Sequence, residues 1–494
     1  MEGKRFIEVS FPIREVSEES AREKNIRQGH ISTLHIWWAR RPLASSRATN
    51  YAALIPAPKD EVEWNRKTEF IKNLSKWENS LNMHLIGRAE RDVPEANGGG
   101  PPRVLDPFAG GGAIPLEALR LGCETHAGEY NPVAVLILKC TLEYPQKYGK
   151  PKEVTEEQRL FKGRVVNPLL EDVKKWGNWV LEEAKKEIGK FYPRDKDGGI
   201  PVGYLWARTI PCQNPSCNAE IPLMRQFWLA KKSNKKVALK PFVEEGKVEF
   251  EIAGQSRPFP KNFDPARGTV KGAVARCLVC GATVDAKTVR KLFQEGKAGQ
   301  RMVAVVLHHP GRQGKTYRIA TKEDLEAYWK AEAYLEEKRA KLMDEWGIDP
   351  VPDEPLPPKE TLGFRVQRYG ILKWGDLFDS RQKLALITFT EKVRLSYKKM
   401  IEEGYDEEYA KAVVSYLGLG IDRISIYQTI LGYWHNTREL VNPGMGRQAL
   451  AMTWDYAEAN IFEGNADWKS AMNWISNVLS HLSQIPSVRM EGEE

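Results

Sequence analysis

Seven consecutive residues, Asp106-Pro107-Phe108-Ala109-Gly110-Gly111-Gly112, carry the clearest chemical signal in this chain of 494 residues. They follow a short apolar run, Arg103-Val104-Leu105, that ends in the Asp106 carboxylate, as the first strand of a parallel sheet does. Glycines accept positive φ and let backbone amides come close to a ligand. Ala113 to Leu121 has helical spacing, with Pro115 tolerable only in a first turn. Gly122 ends that helix, and Cys123 to Glu129 reads as a second strand. Glu129 stands 19 positions after Gly110. In doubly wound folds an acid about 20 residues past the glycine loop accepts hydrogen bonds from ribose hydroxyls. Tyr130, next to it, offers a ring to an adenine. The order of residues is not the G-x-G-x-x-G of dinucleotide sites. Asp106 would put a carboxylate where a pyrophosphate belongs, whereas it suits the ammonium and sulfonium of S-adenosylmethionine. The expectation is an S-adenosylmethionine site made by Asp106, Pro107, Phe108, Ala109, Gly110, Gly111, Gly112, Glu129 and Tyr130. Dinucleotide binding and a purely structural turn are the competing readings.

The cysteines carry the second signal. Six are too few for a disulfide scaffold in so long a chain, and four of them form two close pairs. Cys212-x4-Cys217 and Cys277-x2-Cys280 are each followed by a turn residue, Asn218 and Gly281. Two such knuckles fit a tetrahedral zinc site. Four thiolates leave no open coordination position, so the expected Zn2+ is structural. Chance pairing is the alternative. Cys123 and Cys140 are expected as buried thiols. From Lys271 to Arg301 there are seven basic residues and two acids, a charge that could grip phosphates without reading sequence.

Upstream, Trp37, Trp38, Arg40 and Arg41 combine stacking faces with fixed positive charge, as nucleic-acid contacts often do. Burial of the tryptophans against the glycine-loop segment is the other reading. From Lys24 to Lys59 there are six Lys or Arg and no acid, and Lys231, Lys232, Lys235, Lys236 and Lys240 form a second basic cluster. Such blocks favour polyanions, nucleic acid first, or else form a solvated face. His30 and His35 read as hydrogen-bonded structural histidines, and Tyr456 as a further pocket aromatic.

The elements that must position these residues fall into five stretches. Residues 1–100 form an N-terminal segment, and 101–150 an α/β half with the glycine loop. Residues 151–345 hold a long amphipathic helix and the cysteine pairs among short strands such as Lys247 to Ile252. Residues 346–360 are a proline-rich linker. Residues 361–494 read as mainly helical, with Leu384, Ile387, Val393 and Leu395 on one face and helical runs at Tyr409–Tyr433 and Trp468–Leu482. The hydrophobic share of 41% with 28% charged residues, and a net charge of +8, is that of a globular protein. No apolar run approaches a membrane span, and the first residues lack a signal-peptide core, so a cytoplasmic location is expected.

Asp106–Gly112 with Ile114-Pro115-Leu116-Glu117-Ala118, followed by Gly128-Glu129-Tyr130-Asn131-Pro132, resembles motif I and the second-strand acid of amino-group DNA methyltransferases. The run from Gly29 to Ala44 (GHISTLHIWWARRPLA) resembles the opening of the large adenine-specific DNA methylases that contain a zinc ribbon. His435-Asn436-Thr437-Arg438 and Arg447 to Tyr456 are similar to that group as well. The resemblance implies a Rossmann-like S-adenosylmethionine methyltransferase domain with a zinc-ribbon insertion and a helical C-terminal region. It also implies methylation of DNA at adenine N6.

Such enzymes use an Asp/Asn-Pro-Pro-aromatic loop to hold the target amino group of a flipped base. Asn131-Pro132-Val133, Asn167-Pro168-Leu169, Asp264-Pro265-Ala266 and Asn442-Pro443-Gly444 all lack the second proline and the aromatic. Only two α/β strands precede the insertion, so the sheet is expected to be incomplete. The tail from Ser487 to Glu494 suits the approach to a third strand and little more. The chain is therefore expected to be half an enzyme. A second polypeptide or a C-terminal half would carry the catalytic loop, or the chain is a non-catalytic subunit that binds cofactor and nucleic acid.

Overall fold

The helices of the first hundred residues begin where the sequence supplies a proline or a capping oxygen. In the computed structural model, Pro12 and Pro42 precede α1 (Ile13–Glu23) and α2 (Leu43–Leu54). Asp60 accepts the Glu63 amide at 2.7 Å at the head of α3 (Glu61–Ser75), and Asn82 accepts the His84 amide at 3.1 Å at the head of α4 (Met83–Glu95). The structure describes residues 3–485 apart from 151–166, 257, 359 and 362, so the tail from Ser487 lies outside the described residues. These residues form two compact units. One takes the chain up to Gly177 with Tyr397–Leu419 and the residues from Met472. The other takes Asn178–Ser396 with Gly420–Ala471.

In the first unit the expected order of strand, glycine loop, helix and strand is present. β1 (Arg103–Asp106) pairs in parallel with β2 (Glu124–Ala127), Arg103 opposite Glu124 and Asp106 opposite Ala127. A parallel pair needs a crossover, and α5 (Ala113–Arg120) provides it. Asn131 caps α6 (Pro132–Leu138), its side-chain oxygen taking the Val133 amide at 3.0 Å. The core joins Ala48 and Tyr51 of α2, Ile71 and Leu74 of α3, and Ile86 and Val93 of α4 to Ala118, Leu121 and Cys123. Cys123 and Cys140 are buried, as expected, and burial pushes the Cys123 thiol up to about 12.

The second unit is built on β3 (Ile200–Pro211), buried along nearly its whole length. β4 (Glu220–Leu223) returns from it as a hairpin partner. A separate meander follows, β5 (Trp228–Lys232), β6 (Lys235–Glu244) and β7 (Lys247–Ala253), which contains the predicted run at Lys247. β8 (Val270–Lys271), β9 (Val274–Arg276) and β10 (Thr283–Val284) make a small antiparallel sheet. β11 (Gly299–His308) then pairs with β3, and β12 (Lys315–Ile319) with β11. The proline-rich stretch is bonded within this unit: Val351 and Leu356 are buried, and Leu356 donates its amide to the Leu372 carbonyl at 2.7 Å.

The region predicted as mainly helical differs from that reading. Helices do run over Ser380–Glu402, Glu407–Ser425 and Trp468–Leu482, with Leu384, Ile387 and Val393 buried and Leu395 exposed. The run predicted from Tyr409 to Tyr433 stops at Ser425, and a hairpin follows, β13 (Tyr433–His435) with β14 (Leu440–Asn442). β15 (Asp455–Ala459) then lies antiparallel against β3, Asp455 opposite Ala207 and Ala459 opposite Gly203. Ala and Glu favour helix locally, but the free edge of a buried strand overrides weak propensity. The chain is thus a mixed α/β protein with helices and several sheets. Among the described residues no helix is long and apolar enough to cross a membrane.

Candidate functional site

The glycine loop is bonded back onto the end of β2. Gly128 donates its amide to the Asp106 carbonyl at 2.8 Å, and Ala109 donates to the Gly128 carbonyl at 3.0 Å. The Asp106 carboxylate accepts the Phe108 amide at 3.2 Å. Gly110 and Gly112 have φ of +52° and +78°, a region that favours glycine. Glu129 accepts the amides of Gly110 and Tyr130, both at 2.8 Å, and of Asn131 at 3.2 Å. The amides of Asn131, Gly110 and Tyr130 together hold its carboxyl below the usual carboxylate range. The acid 19 positions on, read from the sequence as a partner for ribose hydroxyls, is tied directly to the glycine loop itself.

Three of the four upstream candidates line the same cavity as this loop. Its volume is about 400 Å³, and Trp37, Arg40, Arg41, Asp106, Gly110 and Glu129 are among its walls. That size lies within the roughly 300–1,000 Å³ typical of small-molecule sites. Trp37 is packed against the glycines: a Cβ on Gly110 would stand 2.9 Å from its Nε1, and one on Gly111 3.2 Å from its Cδ1. Arg40 has a buried Nε with no hydrogen-bond partner, and burial lowers its guanidinium from the usual value. Trp38 is 55% exposed and is not among the cavity's lining residues. Phe108 and Tyr130 are exposed at 83% and 97%, their rings open to solvent.

Residues that sequence reasoning passed over hold this arrangement. Glu23, at the end of α1, accepts the amides of Leu43 and Ala44 at 3.0 and 2.8 Å, and its Oε1 meets His30 Nε2 at 2.9 Å. It thereby closes the loop that carries Trp37, Arg40 and Arg41. His30 is the structural histidine expected. Arg47 of α2 meets Glu117 of α5 at 2.6 Å, both fully buried, and Arg120 meets the same carboxylate at 3.0 Å. Asn50 donates to the Ile114 carbonyl at 3.0 Å. The available signal was a charged pair, Glu117 and Arg120, one turn apart inside an otherwise apolar helix.

The four paired cysteines converge in the second unit. Cys212 and Cys217 sit between β3 and β4, and Cys277 and Cys280 between β9 and β10. Their sulfurs all lie within 4.8 Å of one another, with Cys212 and Cys280 at 3.6 Å and Cys217 and Cys277 at 3.8 Å. A tetrahedral site with metal–sulfur bonds of about 2.3 Å places sulfurs about 3.8 Å apart, so the cluster can hold a metal ion. Asn218 and Gly281 take the positive φ, +47° and +77°, that folds each knuckle back. The Ala282 amide lowers the Cys280 thiol to about 6, toward the thiolate a metal needs, while burial pushes Cys212 up to about 12.

Three of the five lysines in the cluster at Lys231–Lys240 are paired with acids. Lys232 and Lys235 both pair with the buried Glu439 carboxylate, and Lys240 pairs with Glu251 at 2.7 Å. In the Lys271–Arg301 stretch, Lys291 and Lys297 pair with Glu295, and Arg301 with Glu249. Tyr456 is fully buried beside Trp206 rather than at a surface pocket.

Residues 10–80 match a family described as "Protein of unknown function (DUF1156)". No curated protein and no solved structure matches the chain. The matched stretch spans α1, α2 and α3 and includes Trp37, Arg40 and Arg41, so it supplies part of the cavity wall opposite the glycine loop.

Proposed function

We propose that the chain is the cofactor-binding portion of an S-adenosylmethionine-dependent DNA methyltransferase acting at adenine N6, with a structural Zn2+ held by Cys212, Cys217, Cys277 and Cys280. The observation that carries the reading is one cavity lined by both Asp106 and Glu129 and by Arg40 and Arg41. Such a cavity suits a ligand with cationic and anionic ends. S-adenosylmethionine is of that kind, and it supplies an electrophilic methyl group on sulfur. Asp106 would take the ammonium end and Glu129 the ribose hydroxyls. Arg40, whose Nε is buried and unpartnered, would take the α-carboxylate, with Arg41 beside it. Trp37, Phe108 and Tyr130 offer faces to the purine. In this reading Trp37, Arg40 and Arg41 serve the cofactor before the nucleic acid. The choice of DNA adenine rests on the family resemblance.

The open edge of β1 supports the reading of a half enzyme. Among the described residues β1 pairs with β2 alone, and Leu105 is 68% exposed. Val133 and Val135 of α6 are exposed as well. An apolar strand edge of this kind calls for further strands. A second polypeptide or a C-terminal half with the Asp/Asn-Pro-Pro-aromatic loop would provide them. A subunit that binds cofactor and nucleic acid without turnover is the alternative. Transfer of labelled methyl from S-adenosylmethionine to unmethylated duplex DNA, with cofactor binding measured by calorimetry on the same sample, separates the outcomes. Incorporation means that the chain contains a catalytic loop of another sequence. Binding without incorporation is the expected result for a cofactor half. Absence of cofactor binding, or displacement by NAD in preference, overturns the assignment.

A further inference from the structure

A second cavity, of about 760 Å³, opens in the unit built on β3, along the chain between β14 and β15. Its frame is bonded throughout. Arg208 donates from Nε to the Thr453 carbonyl at 2.9 Å and from Nη2 to the Ile430 carbonyl at 3.4 Å. Thr453 donates its hydroxyl to the Leu431 carbonyl at 3.0 Å, and Trp454 donates its indole N–H to the Gly272 carbonyl at 3.0 Å. Gly444 lies so close to Leu431 that a Cβ would stand 2.5 Å from the Leu431 carbonyl carbon. Tyr433 stands opposite Asn442 in the hairpin, and the Asn442 amide donates to its phenol oxygen at 2.9 Å. The cavity is therefore preformed.

Three charged side chains on its wall are left with bonding capacity. The Asp455 carboxylate takes one hydrogen bond, from the Arg225 amide at 3.3 Å. Arg225 and Arg447 are exposed at the rim; among the described residues the Arg447 guanidinium has no ion-pair or hydrogen-bond partner, and the Arg225 guanidinium acts on the Asp455 carboxylate through its charge without a direct bond. Tyr433, partly exposed on the same wall, adds an aromatic face, while Trp454 is buried behind it against Phe293 and Tyr369. A carboxylate on a wall shared with the Tyr433 ring, with two exposed guanidinium groups at the rim, fits a flat base with a phosphate attached.

We propose that this cavity binds a guanine nucleotide, with Asp455 accepting from the base and Arg225 and Arg447 holding the phosphate. Guanine is singled out by its Watson–Crick edge. N1–H and the N2 amino group are adjacent donors, matched to the two oxygens of one carboxylate. Adenine and cytosine set a ring-nitrogen acceptor beside their amino group, which repels an ionised carboxylate, and uracil presents one donor between two acceptors. Burial pushes the Asp455 carboxyl up to about 6, so it is ionised at pH 7.5. The site is independent of the glycine-loop reading, and it takes the same chemistry from a free nucleotide or from an unpaired base in a strand.

The test is calorimetric titration of the full chain at pH 7.5 with GMP, IMP, AMP, CMP and UMP, and with single-stranded oligonucleotides that contain or lack one guanine. GMP is expected to bind at least tenfold tighter than the other four, IMP being weaker because it lacks the N2 amino group. Asp455→Asn should erase that preference, and Arg447→Ala should weaken GMP but not guanosine. Binding of GMP together with the guanine-containing strand points to a strand base, and binding of GMP alone to a free nucleotide; both support the site. Equal affinity for all bases, or no binding by the unmodified chain, overturns it. S-adenosylmethionine binding, read in parallel, reports on the other cavity, so failure of one assignment is not mistaken for failure of the other.

Discussion

The Trp37 indole covers Gly110 so closely that a Cβ there would stand 2.9 Å from its Nε1. The glycine loop and the segment of residues 10–80 thus line one cavity, although 73 positions separate Trp37 from Gly110 in sequence. Gly110→Ala is expected to be doubly unfavourable, since φ is +52° and the indole leaves no space. S-adenosylmethionine affinity should fall by tenfold or more while the thermal midpoint moves only a few degrees. Trp37→Ala removes the clash along with one wall of the cavity, so in that background Gly110→Ala should cost less affinity than it does beside the indole. An equal loss in both backgrounds would show that the indole is not what constrains Gly110.

Glu129 takes the Gly110 amide at 2.8 Å, so it shapes the loop as well as offering its remaining lone pairs to a ribose. Glu129→Ala should weaken cofactor binding roughly 10- to 100-fold, the scale of a hydrogen bond to a charged group. Glu129→Gln, which keeps one acceptor oxygen, should lose less. Affinity unchanged in a folded Glu129→Ala variant removes this residue from the site.

The cysteine cluster predicts one bound metal ion per chain, measurable by elemental analysis of the purified protein. Cys277→Ser should lower that content sharply and expose the segments around Cys212 and Gly281 to proteolysis, because the four sulfurs join two separate hairpin tips through the ion. Strong chelators should do the same to the unmodified chain. A metal-free preparation that resists proteolysis equally well would contradict a structural role.

Arg381 and Glu458 form a fully buried pair, with Nε to Oε1 at 2.6 Å and Nη2 to Oε2 at 2.9 Å. Removing one partner strands a buried charge, so Arg381→Met should destabilise the protein by about 3–5 kcal/mol in chemical denaturation. Adding Glu458→Met should restore a large part of the loss. Additive losses in the double variant would mean that the two charges do not depend on each other.

His481 stacks on Trp77 at 4.8 Å between ring centroids. Burial, and then the charges of Arg120, Arg47 and His30, lower its pKa from 6.5 to about 3. The folded state therefore binds fewer protons than the unfolded state between those values, and stability must fall as pH drops below about 6.5. Between pH 7.5 and pH 5 the loss from this residue should be of order 1–2 kcal/mol. His481→Phe keeps the stack and should flatten that slope. A slope unchanged in His481→Phe assigns the acid sensitivity to other groups.

What the sequence by itself determined is local. The order of β1, glycine loop, α5 and β2 follows from an apolar run, residues that tolerate positive φ, and helical spacing closed by a glycine. The cysteine knuckles follow from two short spacings with a turn residue after each, and the helix starts follow from Asp60, Asn82 and Asn131. Each depends on bonds within a few residues, which a linear reading can weigh.

The tertiary structure decided the rest. Only the packing of α2 on α5 through Arg47 and Glu117 brings Trp37, Arg40 and Arg41 to the glycine-loop cavity. Only the free edge of β3 turns Asp455–Ala459 into a strand. Only the placement of Glu439 between Lys232 and Lys235 ties two lysines of a basic run to a buried carboxylate. A strand's partner and a buried charge's counterion come from distant parts of the chain. Burial makes those contacts strong enough to override local preference, and nothing in the spacing of nearby residues encodes them.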